Sequence, residues 1–460
     1  MDTRFIGFIK YVIYLVVASR RQAIHGHGQP LEYVGGSEES RLATSSHKFW
    51  WKTTGRPLAR MLEWASYPLP TRNSYLSFYS QHIIPEFGLF LPASDSSEPF
   101  EPSLASALPD QKIFPSYMTD DHTPIEFSCI FDDGGIPTIR FSVDPVRRQE
   151  SSDGLAIGFF EDIARVMPSP APQDLTWCRL CAEELTVARR DHKGPPLIKP
   201  RYPSQYFAGI ELSKSNTTLK AYFLPEMSAL ITGVVKFDLI TRVVKRISQD
   251  PSLYSTSGLQ QAWGLLLEFF RSLPQNLAPS IEIVAVDCVP SSKNRLKVYV
   301  RTPLTTLSAV KQFMTLGFAV DSAEITETLE QASYFWRILF PGISDDEEPT
   351  VGGDRLRHPT SGLLFYYELR ASSLYPLPKI YIPVRHLCKS DEEIIGAMEK
   401  LYRKMNNLEA MRNYGKLIRD AFDHRPLSTR TGIHTYITFA AKSSKVEITA
   451  YFNPECFRRG

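Results

Sequence analysis

Five pairs of short alternating segments recur along this chain, and their spacing constrains the fold more than any other feature. The pairs lie at 125–131 with 138–144, 206–213 with 218–224, 281–287 with 295–301, 363–369 with 379–384, and 433–439 with 446–452. Each segment alternates apolar and polar side chains with the period of two that a half-buried strand requires. Helical periodicity fills the intervals, at 47–65, 74–84, 155–167, 174–189, 226–248, 257–272, 305–316, 323–336, 391–405 and 407–423. Two helices followed by two strands, repeated five times, form an architectural repeat. Ten antiparallel strands can close into a barrel wide enough to keep a lumen. The expected class is therefore α+β: a ten-stranded antiparallel β-barrel with a polar lumen, surrounded by a ring of α-helices in five ααββ-type units.

Alternation also says which side of each strand faces the lumen. In 295–301, Arg295, Lys297, Tyr299 and Arg301 share one face, and Leu296, Val298 and Val300 share the other. The same division sets Lys220 and Tyr222 against Leu219, Ala221 and Phe223, and Lys379 and Tyr381 against Ile380, Ile382 and Val384. Arg140 lies opposite Ile139 and Phe141, while Glu447, Thr449 and Tyr451 lie opposite Val446, Ile448 and Ala450. Each apolar face must be covered, and the amphipathic helices are the available cover. The polar faces then meet inside, giving a charged, aromatic lumen that a packed structural core would not tolerate.

Composition excludes several partners. With 43% hydrophobic and 22% charged residues the chain reads as globular, and its 460 residues suit one large barrel. A formal net charge of +2 argues against a nucleic-acid partner, so any anion site must be a local cluster. The six cysteines show no framework spacing, which fits a reduced cytoplasmic protein, and Cys178 and Cys181 read as buried thiols on a helix. Residues 1–45 are expected to form a flexible extension. Within it, 5–17 is apolar enough for a weak signal anchor but too short to span a bilayer, so membrane association is not expected. Residues 46–460 are expected to form a single barrel domain, as a monomer or homodimer.

Three strands carry a lysine two residues before a tyrosine: Lys220 and Tyr222, Lys297 and Tyr299, Lys379 and Tyr381. Residues i and i+2 share a face, so each pair offers a charge and a ring side by side. With Arg140 and Arg295 added, these cations call for an anion, and an organic diphosphate matches their number and geometry. The chain has no GxxxxGK[ST] loop for nucleotide phosphates and no DDxxD-like motif for a metal-bridged diphosphate. Side-chain cations would then neutralise the leaving group without a metal or cofactor. Tyrosine faces can stabilise an adjoining carbocation by roughly 0.5–2 kcal/mol each when desolvated.

The segments FWWKTTGRPLARMLEWASYPL, TPIEFS, PTIRFSVDP, TLKAYFLPE, AVDCVPSSKNRLKVYVRT, GLLFYYEL, PKIYIPVRH, HTYITFAAK and ITAYFNP together resemble the dimethylallyltryptophan synthase family of fungal aromatic prenyltransferases. These segments run from residue 49 to residue 454. The resemblance implies the ABBA barrel and transfer of an allylic isoprenoid, foremost dimethylallyl, from its diphosphate to an indole acceptor in alkaloid biosynthesis. It implies that Arg140, Lys220, Arg295, Lys297 and Lys379 hold the diphosphate, with Tyr436 as a further hydrogen-bonding candidate. Tyr222, Tyr299, Tyr381 and Tyr451 would shield the allyl cation, and Glu126 would accept the indole N–H. One departure stands out. Tryptophan C4-prenylating members carry a lysine on the strand before TLKAYF, and QYFAGIEL has none, which leaves Glu126, His434 or water to take the final proton. A phenolic, xanthone or polyketide acceptor is the nearest alternative, and a non-catalytic isoprenoid-diphosphate or anion-binding barrel is the alternative of another class.

Overall fold

The alternating segments become ten strands in the computed structural model, which describes residues 38–90, 115–131, 137–150, 156–188, 202–214, 216–253, 257–349, 358–442 and 445–458. They are β1 (Ile125–Phe131), β2 (Thr138–Val143), β3 (Tyr206–Leu212), β4 (Thr217–Phe223), β5 (Ser280–Asp287), β6 (Leu296–Arg301), β7 (Leu364–Leu369), β8 (Leu377–Ile382), β9 (His434–Lys442) and β10 (Lys445–Phe452). Consecutive strands pair antiparallel, and β1 pairs with β10, so the sheet closes and leaves no edge. The expected barrel is the observed one. β8 starts and stops earlier than its alternation implied, because Pro383 has no N–H to donate and Val384–Leu387 turns at once into a short helix.

The outer face is apolar and covered. Leu296, Val298 and Val300 of β6 are fully buried, as are Ile139 and Val143 of β2. Burying one such side chain is worth roughly 1.5–3 kcal/mol. The cover includes helices Lys236–Ile247, Ala323–Leu339, Asp391–Lys404 and Leu408–Ala421. Helix Asp391–Lys404 opens on a reciprocal cap, in which the Ser390 side chain accepts from the Glu393 amide and Glu393 accepts from the Lys389 amide. The long helix expected at 226–248 is two, Glu226–Thr232 and Lys236–Ile247. Gly233 separates them at a positive φ of 69°, a conformation that ends a helix and that glycine adopts without strain.

The chain divides into two compact units. The smaller comprises Met1–Phe49 with Leu89–Leu91, and the larger comprises Trp50–Gly88 with Pro92–Gly460. In the smaller unit Phe49 stacks on Phe90 at 3.5 Å, and the Ser46 hydroxyl donates to the Phe90 carbonyl at 3.1 Å. Residues 38–45, expected within a flexible extension, are helical: Glu38–Trp50 is one helix, begun by the helix-favouring run EESRLA. The candidate anchor at 5–17 lies outside the described residues. No helix among the described residues is long and apolar enough to cross a membrane.

Candidate active site

Strand register turns sequence positions into layers of the lumen. Lys220 lies opposite Asp287, Lys297 opposite Glu368, and Lys379 opposite Tyr366. One step along the same strands, Tyr222 faces Ala285, Tyr299 faces Tyr366, and Tyr381 faces Thr438. The lumen therefore has an end lined by cations, a middle lined by tyrosines, and a far end that holds Glu126.

At the cation end the structure brings together Arg140, Lys220, Arg295, Lys297 and Lys379, and adds what sequence reasoning missed. Each cation has a protein carboxylate beside it. Lys220 Nζ lies 2.6 Å from Glu211, and Arg140 lies 3.5 Å from the same carboxylate. Arg295 bridges Asp287 at 2.6 Å and Glu368 at 2.8 Å, while Lys297 Nζ donates to Asp287 at 2.7 Å. Lys379 Nζ reaches Thr449 at 3.1 Å and Glu447 at 3.4 Å. The expectation that these cations wait for an external anion thus needs correction. Glu211, Asp287 and Glu368 occupy the inward parity of β3, β5 and β7, as Glu447 does in β10. Parity is legible in the sequence; the register that sets each one against a cation is not.

The electrostatics follow from this crowding. Burial pushes Asp287 upward, but Lys297, Lys220 and Arg295 outweigh it and hold the carboxyl well below its usual range. Lys220, acting against burial, lowers Glu211 to about 2. Lys297 moves the other way, down to about 7, because burial and the neighbouring Arg295 and Lys220 disfavour its charge more than Asp287 favours it. Keeping such charges dry costs several kcal/mol per ion, and apolar replacements of similar size commonly stabilise a fold.

The middle layer is a wall of phenol rings. Tyr299 lies 5.2 Å from Tyr366 and 5.8 Å from Tyr381, and Tyr381 lies 5.4 Å from Tyr451 between ring centroids. Tyr222 joins from β4, 6.2 Å from Tyr299. The Lys379 ammonium sits 5.5 Å from the Tyr381 centroid, 5.8 Å from Tyr366 and 6.0 Å from Tyr451, so these rings already face a positive charge. Tyr366 was missed although it shares the inward face of Glu368, because sequence reasoning singled out no residue of GLLFYYEL. Tyr367 points outward, its hydroxyl donating to the Phe313 carbonyl at 2.9 Å.

At the far end Glu126 has a neutral partner. It accepts from the Thr435 hydroxyl at 2.6 Å, and burial pushes its carboxyl up to about 7. Around this end lie Arg385, whose guanidinium donates to Asp120 at 2.7 Å, and Arg301, which donates to the carbonyls of Thr360 and Gly362 at 3.1 Å each. Tyr436 belongs here and not with the lumen cations: its hydroxyl accepts from Arg301 at 3.3 Å, and its ring faces Arg385 at 5.2 Å. Ligating atoms of Asp120, His358 and His386 lie within 4.8 Å of one another, but Arg385 already supplies Asp120 with a positive partner.

Two further candidates resolve. His434 is fully buried outside the lumen, between Asp391 at 2.8 Å and the Tyr414 hydroxyl at 2.9 Å, so it is structural. Cys178 and Cys181 are buried thiols whose pKa values burial raises, as expected. On β3 the lumen positions are Phe207, Gly209 and Glu211, paired with Tyr222, Lys220 and Thr218. A Cβ at Gly209 would come within 2.7 Å of the Tyr222 ring, so that ring occupies the space a longer side chain would need.

Comparisons with known proteins agree with this geometry. The family model described as tryptophan dimethylallyltransferase matches residues 46–416. The 4-O-dimethylallyl-L-tyrosine synthase of Claviceps purpurea is 30% identical over 429 residues, covering 91% of this chain and 90% of the relative. The 7-dimethylallyltryptophan synthase hasE of Aspergillus fumigatus is also 30% identical, covering 89% of this chain and 85% of the relative. Among solved structures, AnaPT from Neosartorya fischeri superposes with a TM-score of 0.73 at 21% identity, covering 92% of this chain and 98% of AnaPT. The chain belongs to the tryptophan dimethylallyltransferase family and is an aromatic prenyltransferase with the ABBA barrel.

Proposed function

We propose that the enzyme transfers a dimethylallyl group from dimethylallyl diphosphate to a small aromatic acceptor, foremost an indole, held through its ring N–H by Glu126. The observation that carries this reading is the order of layers along the lumen: cations, then tyrosines, then a carboxylate without a cationic partner of its own. The donor's diphosphate lies among Arg140, Lys220, Arg295, Lys297 and Lys379. Its C1–O bond breaks, and the pair of electrons leaves with the diphosphate, whose charge the cations neutralise. The allyl cation forms against Tyr222, Tyr299, Tyr366, Tyr381 and Tyr451, which exclude water. A ring carbon of the acceptor attacks C1, and that carbon's proton passes to Glu126 or to water, which restores aromaticity. Glu126, by accepting the N–H, orients the ring and raises its electron density.

A second reading has a specific observation behind it. The tyrosine O-prenylating relative is as similar to this chain as the tryptophan-prenylating one. A phenolic O–H could replace the indole N–H on Glu126, with oxygen as the nucleophile. Incubation with dimethylallyl diphosphate and separate indole and phenol acceptors, read by mass spectrometry, distinguishes the two. Indole products support the first reading and O-prenyl phenols the second, whereas absence of turnover with every acceptor would leave a barrel that only binds the donor. A cytoplasmic setting accords with six free, buried cysteines, and we propose one barrel domain working as a monomer or homodimer.

A further inference from the structure

A cavity of about 700 Å³ opens beside the turn that joins β7 to β8, at the cation end of the lumen. Its wall includes Tyr366, Glu368, Arg370, Leu377, Ala440 and Ser322. Glu368 and Ala440 face the lumen, since they lie opposite Lys297 and Lys379 respectively. Arg370 stands at the mouth with its side chain 40% exposed, whereas the Glu368 side chain is only 5% exposed.

The Glu368 carboxylate is shared between these two regions. One oxygen accepts from Arg370 Nε at 2.6 Å, and the other accepts from Arg295 at 2.8 Å. Arg295 is thus occupied twice, by Glu368 and by Asp287 at 2.6 Å. Among the described groups at the cation end of the lumen, five cations (Arg140, Lys220, Arg295, Lys297, Lys379) meet four carboxylates (Glu211, Asp287, Glu368, Glu447). That small excess is poorly matched to a diphosphate carrying about three negative charges. A buried carboxylate left beside that anion would repel it.

We infer that Arg370 is a positioning residue for the donor: it holds the Glu368 carboxylate toward the mouth, so that Arg295 can turn to the incoming diphosphate. The inference rests on the reading that the cation cluster holds the diphosphate. Asp287 keeps Lys297 as a partner when Arg295 moves, and Glu368 keeps Arg370. The cluster can therefore exchange one internal ion pair for a ligand without stranding a buried charge. The cavity gives the diphosphate and its released product a path past the residue that prepares their site.

Steady-state kinetics with dimethylallyl diphosphate, and inhibition by inorganic diphosphate, test this in five variants. Arg370→Ala should raise the donor KM and the diphosphate inhibition constant by about three- to tenfold, with the acceptor KM unchanged. Arg370→Lys should recover much of the loss. Glu368→Gln, which removes the charge Arg370 restrains, should make Arg370→Ala nearly silent in the double variant. Unchanged donor parameters in Arg370→Ala, or equal losses with and without Glu368→Gln, would overturn the inference. Arg295→Ala is the control for the underlying reading. If it raises the donor KM while Arg370→Ala does not, only the role of Arg370 fails; if neither does, the diphosphate site itself is elsewhere.

Discussion

Asp287 and Glu126 are both buried carboxylates inside one lumen, yet their protonation is set by opposite forces. Asp287 sits among Lys220, Arg295 and Lys297, and these cations overcome burial and keep it ionised. Glu126 has a threonine hydroxyl for its hydrogen bond and a more distant Arg385, so burial prevails and its pKa rises to about 7. In the proposed mechanism the first arrangement stores positive charge in a form that can stay dry until a stronger anion arrives. The second would keep a carboxyl poised between acceptor and donor near neutrality, as suits a group proposed to accept a hydrogen bond from a substrate N–H or O–H. The tyrosine wall lies between them.

The sharpest break in that comparison is Arg295→Ala. It removes the proposed diphosphate ligand while Asp287 keeps Lys297 and Glu368 keeps Arg370, so kcat/KM for the donor should fall by roughly a hundredfold. The acceptor KM should hardly move. Donor kinetics like those of the unaltered enzyme, in a variant that is folded by circular dichroism, would remove the cation end from the mechanism.

Glu126→Gln tests the opposite end and should act on the acceptor. Loss of the charged hydrogen bond is worth about 1.5–3 kcal/mol, or ten- to a hundredfold in kcat/KM for the acceptor. In the unaltered enzyme that parameter should decline as pH falls through about 7, where Glu126 gains its proton, and the decline should vanish in the variant. Stability should respond with the contrary sign. Between pH 4.5 and about 7 the folded protein holds a proton on Glu126 that the unfolded chain has lost, so stability falls as pH rises across that window. The glutamine variant escapes this penalty. It should melt higher than the unaltered protein at pH 8 and no higher at pH 4.

Tyr299→Ala bears on the boundary between the ends. Removing a ring at the centre of the wall should lower prenylation by about tenfold and raise the share of donor hydrolysed to prenyl alcohol. Tyr299→Phe keeps the π-face and should leak far less. A lower melting temperature with no change in the alcohol share would make the ring a packing residue. The smallest expected effect is that of EDTA, because lysine and arginine supply the positive charge. Activity abolished by chelation and restored by magnesium would mean that the cation cluster is insufficient.

The barrel was legible in the sequence because hydrophobic alternation fixes which residues face in, and five repeats of it leave one way to close. The inward placement of the cations and of the clustered tyrosines was legible for the same reason. Glu211, Asp287 and Glu368 were not, because their importance lies in which cation stands across the ladder, and register is a tertiary property. Tyr436 shows the converse: its strand was readable, but its height along the lumen depended on the register of β9 against β8, where Tyr381 pairs with Thr438 and Ile382 with Ile437. His434, a possible base that reads more readily as a structural strand-end histidine, is placed only by the packed helix carrying Asp391, which reveals its partner.

The diphosphate and the acceptor are expected to bind at opposite ends of the lumen. Arg301 and Arg385 make this a real choice, since they place two further guanidiniums, with side chains 10% and 7% exposed, at the Glu126 end. A crystal structure with a non-ionising thiolodiphosphate analogue of the donor and an indole acceptor tests it directly. The account predicts phosphate oxygens within hydrogen-bonding distance of Lys220, Arg295 and Lys297, with the acceptor N–H on Glu126 and the prenyl C1 between them, against Tyr299 and Tyr381. Phosphate oxygens on Arg301 and Arg385, with the acceptor among the lysines, would contradict it.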